Sequence, residues 1–302
     1  MAKSTMHTDA YPLQREIIAS CRLTAQHHLI TQRVGGLIYP VISNEIRSRQ
    51  DLTIADVSCG NGIWAVEAAE AYPEAEVVGI DTSEAQFPPP DMCPENCSFH
   101  IVDMMQPVHQ DYRCGFDMIN ARLLAGLAGP PNWSDFTPIV DNLLQMLKPN
   151  GWIQWLDVAS PVICAHDYSN ANVILNWRVP SSIATQLPIL TKSVDWLDKL
   201  PALLKQRGFM DIERFECPPK ASTLMLETAN TALDMLDLGQ SCWEIDPVSA
   251  AGFNGAVYEM LKEIQGGRLF SMVLRTTIGR KAHRALRKRK PRANMSSEWT
   301  DH

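Results

Sequence analysis

No apolar stretch of the 302-residue chain approaches the roughly 18 residues that a membrane-crossing helix requires. Met1–Ala10 also lacks the apolar core of a secretory leader, so a cytosolic or nuclear location and no membrane partner are expected. No Cys-x-x-Cys pair occurs among the eight cysteines (21, 59, 93, 97, 114, 164, 217 and 242). A disulfide framework is not expected in a chain of this size without a leader. Cys93, Cys97 and His100 would offer a zinc ion three ligands, but the spacing supplies no fourth. The third closely spaced cysteine of an iron–sulfur site is missing too, so no metal is expected. Internal repeats and low-complexity runs are absent.

Positive charge is scarce outside one segment. The chain carries 27 Lys and Arg against 34 Asp and Glu, a net charge of −7. Eight of the basic residues lie in Arg280–Arg292, leaving 19 basic against 34 acidic residues elsewhere. Such a body lacks the basic face of a nucleic-acid reader, and nucleic acid is not an expected partner. The basic run reads either as a solvated tail or as a nuclear-import or polyanion-binding segment. With 45% hydrophobic and 20% charged residues, the composition is that of an ordinary globular protein.

The most informative stretch runs from Ile54 to Asp81, IADVSCGNGIWAVEAAEAYPEAEVVGID. A β-rich run, Leu52 to Val57, contains Asp56 and leads into Ser58-Cys59-Gly60-Asn61-Gly62 and a helical pattern. A second apolar strand, Val77 to Ile80, then ends in Asp81. Glycines in such a turn let the backbone approach a nucleoside, and an acid at the second strand's tip can hold both ribose hydroxyls. The third glycine of the dinucleotide fingerprint is missing, because its place falls near Val66.

This stretch resembles the acid-x-Gly-x-Gly-x-Gly loop of class I S-adenosylmethionine (SAM)-dependent methyltransferases. Asp56, Gly60 and Gly62 fill the acid, second and third glycine places, while Ser58 replaces the first glycine. The resemblance implies an α/β, Rossmann-like fold: a seven-stranded, mostly parallel sheet flanked by helices, with the last strand entering antiparallel. It implies SAM as cofactor and S-adenosylhomocysteine as product. Strand-like runs at Phe99–Val102 and Phe116–Ala121, and the helix, turn and strand of Asn142–Val158, continue the pattern. Asn150-Gly151 is read as the turn, with glycine supplying positive φ. By the same resemblance the cofactor site comprises Asp56, Ser58, Gly60, Asn61, Gly62, Asp81, Thr82, Gln86, Phe87, Asp103, Met104, Met105, Asn120 and Arg22. Asp103 would reach the adenine amino group, and the next side chain would pack on the ring.

A narrower likeness joins Ala19–Ile30, Ile80–Pro89 and Asn120–Leu127 to fungal LaeA-like or UMTA-type methyltransferases of secondary metabolism. Arg22, Leu23, Gln26, His27, Asp81, Ser83, Gln86, Phe87, Pro88, Arg122 and Leu123 carry it. It implies methyl transfer to O, N or S of a small molecule. Two alternatives stay open: a nuclear regulator, or a SAM-binding fold used for non-methyl chemistry such as a cyclisation.

Five segments follow. Residues 1–50 form a helical closing segment, with Leu13, Ile17, Cys21 and Ala25 as the apolar stripe of a helix over Pro12–Gln32. Residues 51–158 form the SAM-binding core. Residues 159–267 hold strand six and helical insertions that either cap a substrate or make a homodimer interface. Residues 268–279 are the final strand, and 280–302 a basic, disordered tail. His27 and His166 are candidate bases, since imidazole titrates near neutral pH. His27 has two competing readings: a cofactor-carboxylate ligand beside Arg22, or a structural helix histidine. Trp177, Trp243 and Tyr168 are candidate substrate contacts. Trp152 and Trp155 have opposite strand parity, so at least one packs in the core.

Overall fold

Short β-branched runs separated by glycine- and proline-bearing turns set up the sheet of this protein, a computed structural model that describes residues 15–124, 136–166, 195–245 and 247–283. Its helices are α1 (Ile17–Val34), α2 (Pro40–Ile46), α3 (Ile63–Ala71), α4 (Thr137–Met146), α5 (Asp195–Gln206), α6 (Leu224–Ile245) and α7 (Pro247–Gln265). Its strands are β1 (Thr53–Val57), β2 (Glu76–Asp81), β3 (Cys97–Ile101), β4 (Phe116–Arg122), β5 (Leu147–His166), β6 (Phe209–Cys217) and β7 (Leu269–Lys281). They pair in the order β3-β2-β1-β4-β5-β7-β6. The β1–β2, β1–β4, β2–β3 and β4–β5 pairings are parallel, whereas β7 runs antiparallel to both of its neighbours.

Near-continuous apolar strands demand cover on both faces. One face buries Ile119, Trp155 and Phe209 beneath α4 and α5, where Phe136 stacks on Trp196 at 3.8 Å between ring centroids. The other buries Ile54, Met118 and Trp152 with α2 and α3, including Ile42, Ile46 and Trp64. Trp152 and Trp155 thus face opposite sides of the sheet, and both are core residues.

Four expectations change. Positive φ in the turn before the apolar part of β5 belongs to Asn150 (62°). Gly151 is needed for close approach instead, because a Cβ there would lie 2.9 Å from the Lys148 carbonyl oxygen and 3.0 Å from that of Phe116. Second, β5 does not stop at Val158. It continues to His166 by pairing with β7, His166 opposite Leu269, with an irregularity between Val158 and Ile163. Third, β7 extends through Arg280 and Lys281, so the first two residues of the expected tail are strand. Arg280 pairs with Asp211, and Lys281 Nζ donates to the carbonyls of Leu144 (2.8 Å) and Leu147 (2.6 Å). The first helical insertion is expected over 160–194; residues 160–166 are strand instead, while 167–194 and residues 284–302 lie outside the described residues.

The fourth concerns α1. Its expected apolar stripe is not the buried face: Ile17 is 77% exposed and Cys21 is exposed. The buried set is Ala19, Arg22, His27, Leu29, Ile30 and Arg33. Charged side chains go inside because α6 brings matching acids. Arg22 Nη1 lies 2.7 Å from Asp234, and Arg33 Nη1 lies 3.2 Å from Glu227.

Candidate functional site

The carboxyl ends of β1, β2 and β4 converge on the glycine-bearing loop. Between β1 and α3 the chain alternates into left-handed backbone at Ser58 (φ 58°), Gly60 (57°) and Gly62 (73°). Ser58 therefore keeps the conformation that glycine would adopt, at a cost of about 1–2 kcal/mol for an L-residue. Gly62 cannot be larger, since a Cβ would meet the Phe99 ring at 2.4 Å. Phe87 in turn lies 5.2 Å from Phe99 between centroids.

Helix α1 lies across this loop. Asn61 Nδ2 donates to the Ser20 carbonyl (3.0 Å) and to Thr24 Oγ1 (2.9 Å), and Gln86 Nε2 donates to Ser20 Oγ (3.1 Å). Asp81 closes the loop from the tip of β2. Its Oδ2 accepts from Gly60 N and its Oδ1 from Thr82 N, both at 2.8 Å. Burial pushes the Asp81 carboxyl above its ordinary range, against the lowering effect of these backbone donors.

Asp56, at the end of β1, is buried. Its Oδ1 accepts from Asn120 Nδ2 at 2.7 Å, but its Oδ2 takes no hydrogen bond from any described residue. Burial raises its pKa to about 6, opposed by the Arg122 charge and the Asn120 bond. An orphaned buried carboxylate oxygen beside a glycine turn is the feature here that asks for a ligand donor.

The candidate base His27 is held within the fold at both ring nitrogens. Its ring is buried, with Nε2 2.8 Å from Glu67 of α3 and Nδ1 3.2 Å from Arg122 Nη1 at the tip of β4. Arginine can only donate, so Nδ1 accepts and Nε2–H donates to Glu67, a neutral tautomer assigned from the network. Burial, then the Arg122 charge, lowers its pKa to about 4 despite Glu67. Both nitrogens are thus engaged. His27, His28 and Glu67 do lie close enough to suggest a metal site. Ligation through Nε2 would, however, require a proton on Nδ1, facing the Arg122 donor. The donor set does not fit a metal.

Other expected site residues fall as follows. Arg22 is committed to the acids of α6, Asp234 at 2.7 Å and Asp237 at 3.5 Å, so it does not stand at the cofactor loop as expected. Asp103 is exposed and folds back on Met105 N (2.8 Å). Met104 is buried in the core, which leaves it no face for a ring, whereas Met105 is exposed. Trp243 sits on the last turn of α6 with about half its surface exposed (49%). Tyr168, Trp177 and the side chain of His166 lie outside the described residues. Between α1 and α6 a cavity of about 20 Å³, room for one water, is lined by Leu29, Ile30, Leu123, Val158, Glu227 and Asn230.

Sequence reasoning missed Glu67, the acids of α6 and Gln154. A glutamine inside the apolar run Trp152-Ile153-Gln154-Trp155-Leu156 was the available signal for Gln154. The α6 acids gave none, because charges on a helix read as a solvated face.

Comparison with known proteins matches residues 48–208, just over half the chain, to the methyltransferase domain. The methyltransferase grgD of a Penicillium species is 31% identical over 166 residues, 51% of this chain and 54% of its own. The N-methyltransferase sirN of Leptosphaeria maculans is 33% identical over 136 residues, 45% of each chain. The secondary metabolism regulator laeA of Aspergillus flavus is 28% identical over 162 residues, 52% of this chain and 40% of its own. The chain therefore spans about half the length of the curated relatives it matches.

Proposed function

Because the chain belongs to the methyltransferase domain family, we propose that it is a SAM-dependent methyltransferase acting at O, N or S of a small molecule, a reading supported by the likeness to the fungal methyltransferases grgD and sirN. The likeness to the secondary metabolism regulator laeA points to a fungal secondary metabolite. The observation that carries the reading is the pair of acids at adjacent strand tips. Asp56 has a buried, unpartnered oxygen, and Asp81 is set against the loop of left-handed residues. SAM, when bound, supplies a methyl group already activated on a sulfonium sulfur. The chain's own residues then bind and orient. Asp81 would hold the ribose hydroxyls, Asp56 Oδ2 would accept from the ammonium group, and Met105 with Phe87 would flank the base. The positive φ at residues 58, 60 and 62 turns the backbone so that side chains do not block the approach.

In this reading His27 is a positioning residue. It holds Arg122 at the tip of β4, next to Asp56, rather than accepting a proton from substrate. Transfer then rests chiefly on proximity and alignment.

The likeness to laeA, together with the basic run after β7, favours a second reading as a nuclear regulator. One assay separates the readings. Purified protein is incubated with methyl-labelled SAM and a metabolite extract of the producing organism. A labelled small molecule with stoichiometric S-adenosylhomocysteine supports the enzyme. A converted but unlabelled product indicates non-methyl chemistry. Cofactor binding without any small-molecule turnover favours the regulator.

A further inference from the structure

Asp56, Asn120 and Gln154 are register partners on β1, β4 and β5, which places them on one face at one level of the sheet. All three are buried. Gln154 Nε2 lies 3.1 Å from Asn120 Oδ1 and 2.9 Å from the Leu37 carbonyl, and its Oε1 lies 2.8 Å from Tyr39 N. Leu37 and Tyr39 belong to the segment joining α1 to α2. A row of polar side chains therefore runs from that segment across two strands to the carboxylate proposed to meet the cofactor.

The row has a direction, and a main-chain group sets it. Tyr39 N–H can only donate, so the Gln154 amide must turn its oxygen toward it. Its NH₂ then faces Leu37 O and Asn120 Oδ1. Asn120 in turn must present its NH₂ to Asp56 Oδ1, 2.7 Å away. Reversing any one amide would place two acceptors or two donors face to face.

We propose that Gln154 is a positioning residue for cofactor binding: it transmits the docking of the Leu37–Tyr39 backbone through Asn120 so that Asp56 receives a donor and is held as a carboxylate. This rests on the reading of Asp56 as a cofactor ligand. The other groups whose charge acts on Asp56 are Arg122 at the tip of β4, which favours its ionisation, and Asp81 at the tip of β2, which opposes it. Cys59 adjoins both acids but is buried, and its thiol is pushed up, so it stays neutral. None of these changes when Gln154 is altered.

The test follows the Asp56 carboxyl carbon by NMR in aspartate-labelled full-length protein without ligand, assigned by its loss in Asp56→Asn. Gln154→Met removes the donor that orients Asn120 without adding a charge. The Asp56 midpoint should rise by about one pH unit or more in this variant, since a hydrogen bond to the charged form lowers a carboxyl's pKa. Calorimetric affinity for S-adenosylhomocysteine at pH 7 should fall at least about fivefold, on the order of 1 kcal/mol. Trp152→Phe, two residues away on the same face, disturbs packing without touching the row, and should leave the midpoint in place. An unchanged midpoint in a folded Gln154→Met protein, or an equal shift in Trp152→Phe, overturns the proposal. If the wild type binds no S-adenosylhomocysteine, the cofactor reading fails, while the ligand-free midpoint still decides the relay.

Discussion

Helix α1 contributes to both the glycine loop and the α1–α6 contact, yet the two are held by opposite means. The loop is a backbone structure: three left-handed residues, three amide donors on Asp81, and aromatic rings packed where side chains are missing. The α1–α6 contact is a side-chain structure of buried ions. Arg33 and Glu227 are each almost wholly enclosed, Thr223 Oγ1 donates to Glu227 at 2.8 Å, and the Cys217 carbonyl accepts from Arg33. A backbone structure tolerates side-chain change where no Cβ is forbidden. A buried ion pair tolerates the loss of neither partner, although an apolar replacement of both can be neutral.

That contrast can be broken most directly at the ion pair. Glu227→Gln or Arg33→Met should destabilise the fold by about 3–5 kcal/mol in urea unfolding, because one buried charge is left uncompensated. Lys262→Met removes the exposed pair with Glu259 on α7 (2.7 Å) and should cost at most about 1 kcal/mol. Equal effects at the two sites would mean that α1 and α6 are not held together by charge.

Next in size is a pH effect in which one acid of each region opposes His27. Asp56 and Asp234 both have pKa values raised to about 6, above the unfolded carboxylate value. The folded state binds their protons more tightly, so their contribution to stability declines as pH rises from about 4 to about 6. His27 has its pKa lowered to about 4 from 6.5. Here the unfolded state binds the proton more tightly, so stability rises over about the same window and is complete above the unfolded value. The two trends oppose each other. His27→Gln should therefore expose a fall in thermal midpoint between about pH 4 and 6 that the wild type partly conceals. A parallel pH profile in mutant and wild type would show that His27 has the same pKa folded as unfolded. In the same variant, turnover should fall less than about tenfold. A loss of about 10²-fold or more, typical of general-base catalysis, would return His27 to the role of base.

Ser58→Gly should have the smallest effect. It relieves left-handed strain but enlarges the unfolded ensemble, so stability should change by less than about 1 kcal/mol. Affinity for SAM should stay within about twofold. A large loss would show that the Ser58 side chain, rather than its backbone, serves the loop.

The same contrast explains what could be read from the sequence. Backbone-determined features carry local signatures. Gly60, Gly62, Asp56 and Asp81 stand at fixed places around a strand–loop–helix–strand pattern, which marks the loop, and the family resemblance they carry implies the sheet and its antiparallel last strand. Features made by distant side chains carry none. Arg22 looked like a cofactor ligand because its partners, Asp234 and Asp237, lie more than 200 positions away. Ile17 and Cys21 looked like a core stripe because a period of four residues does not say which face a second helix will cover. His27 was placed near the site, but the direction of its ring depends on Glu67 and Arg122 together, which only the fold brings to it.

If the tips of β1, β2 and β4 bind SAM with Asp81 on the ribose, loss of that carboxylate must weaken the complex. Calorimetric titration of SAM into wild-type and Asp81→Ala protein at pH 7 tests it most directly. Two charge-assisted hydrogen bonds of about 1.5–3 kcal/mol each are at stake. The account predicts saturable binding to the wild type at one site per chain, and affinity at least tenfold weaker in a folded Asp81→Ala variant. No binding to the wild type, or equal affinity in the two proteins, would contradict it.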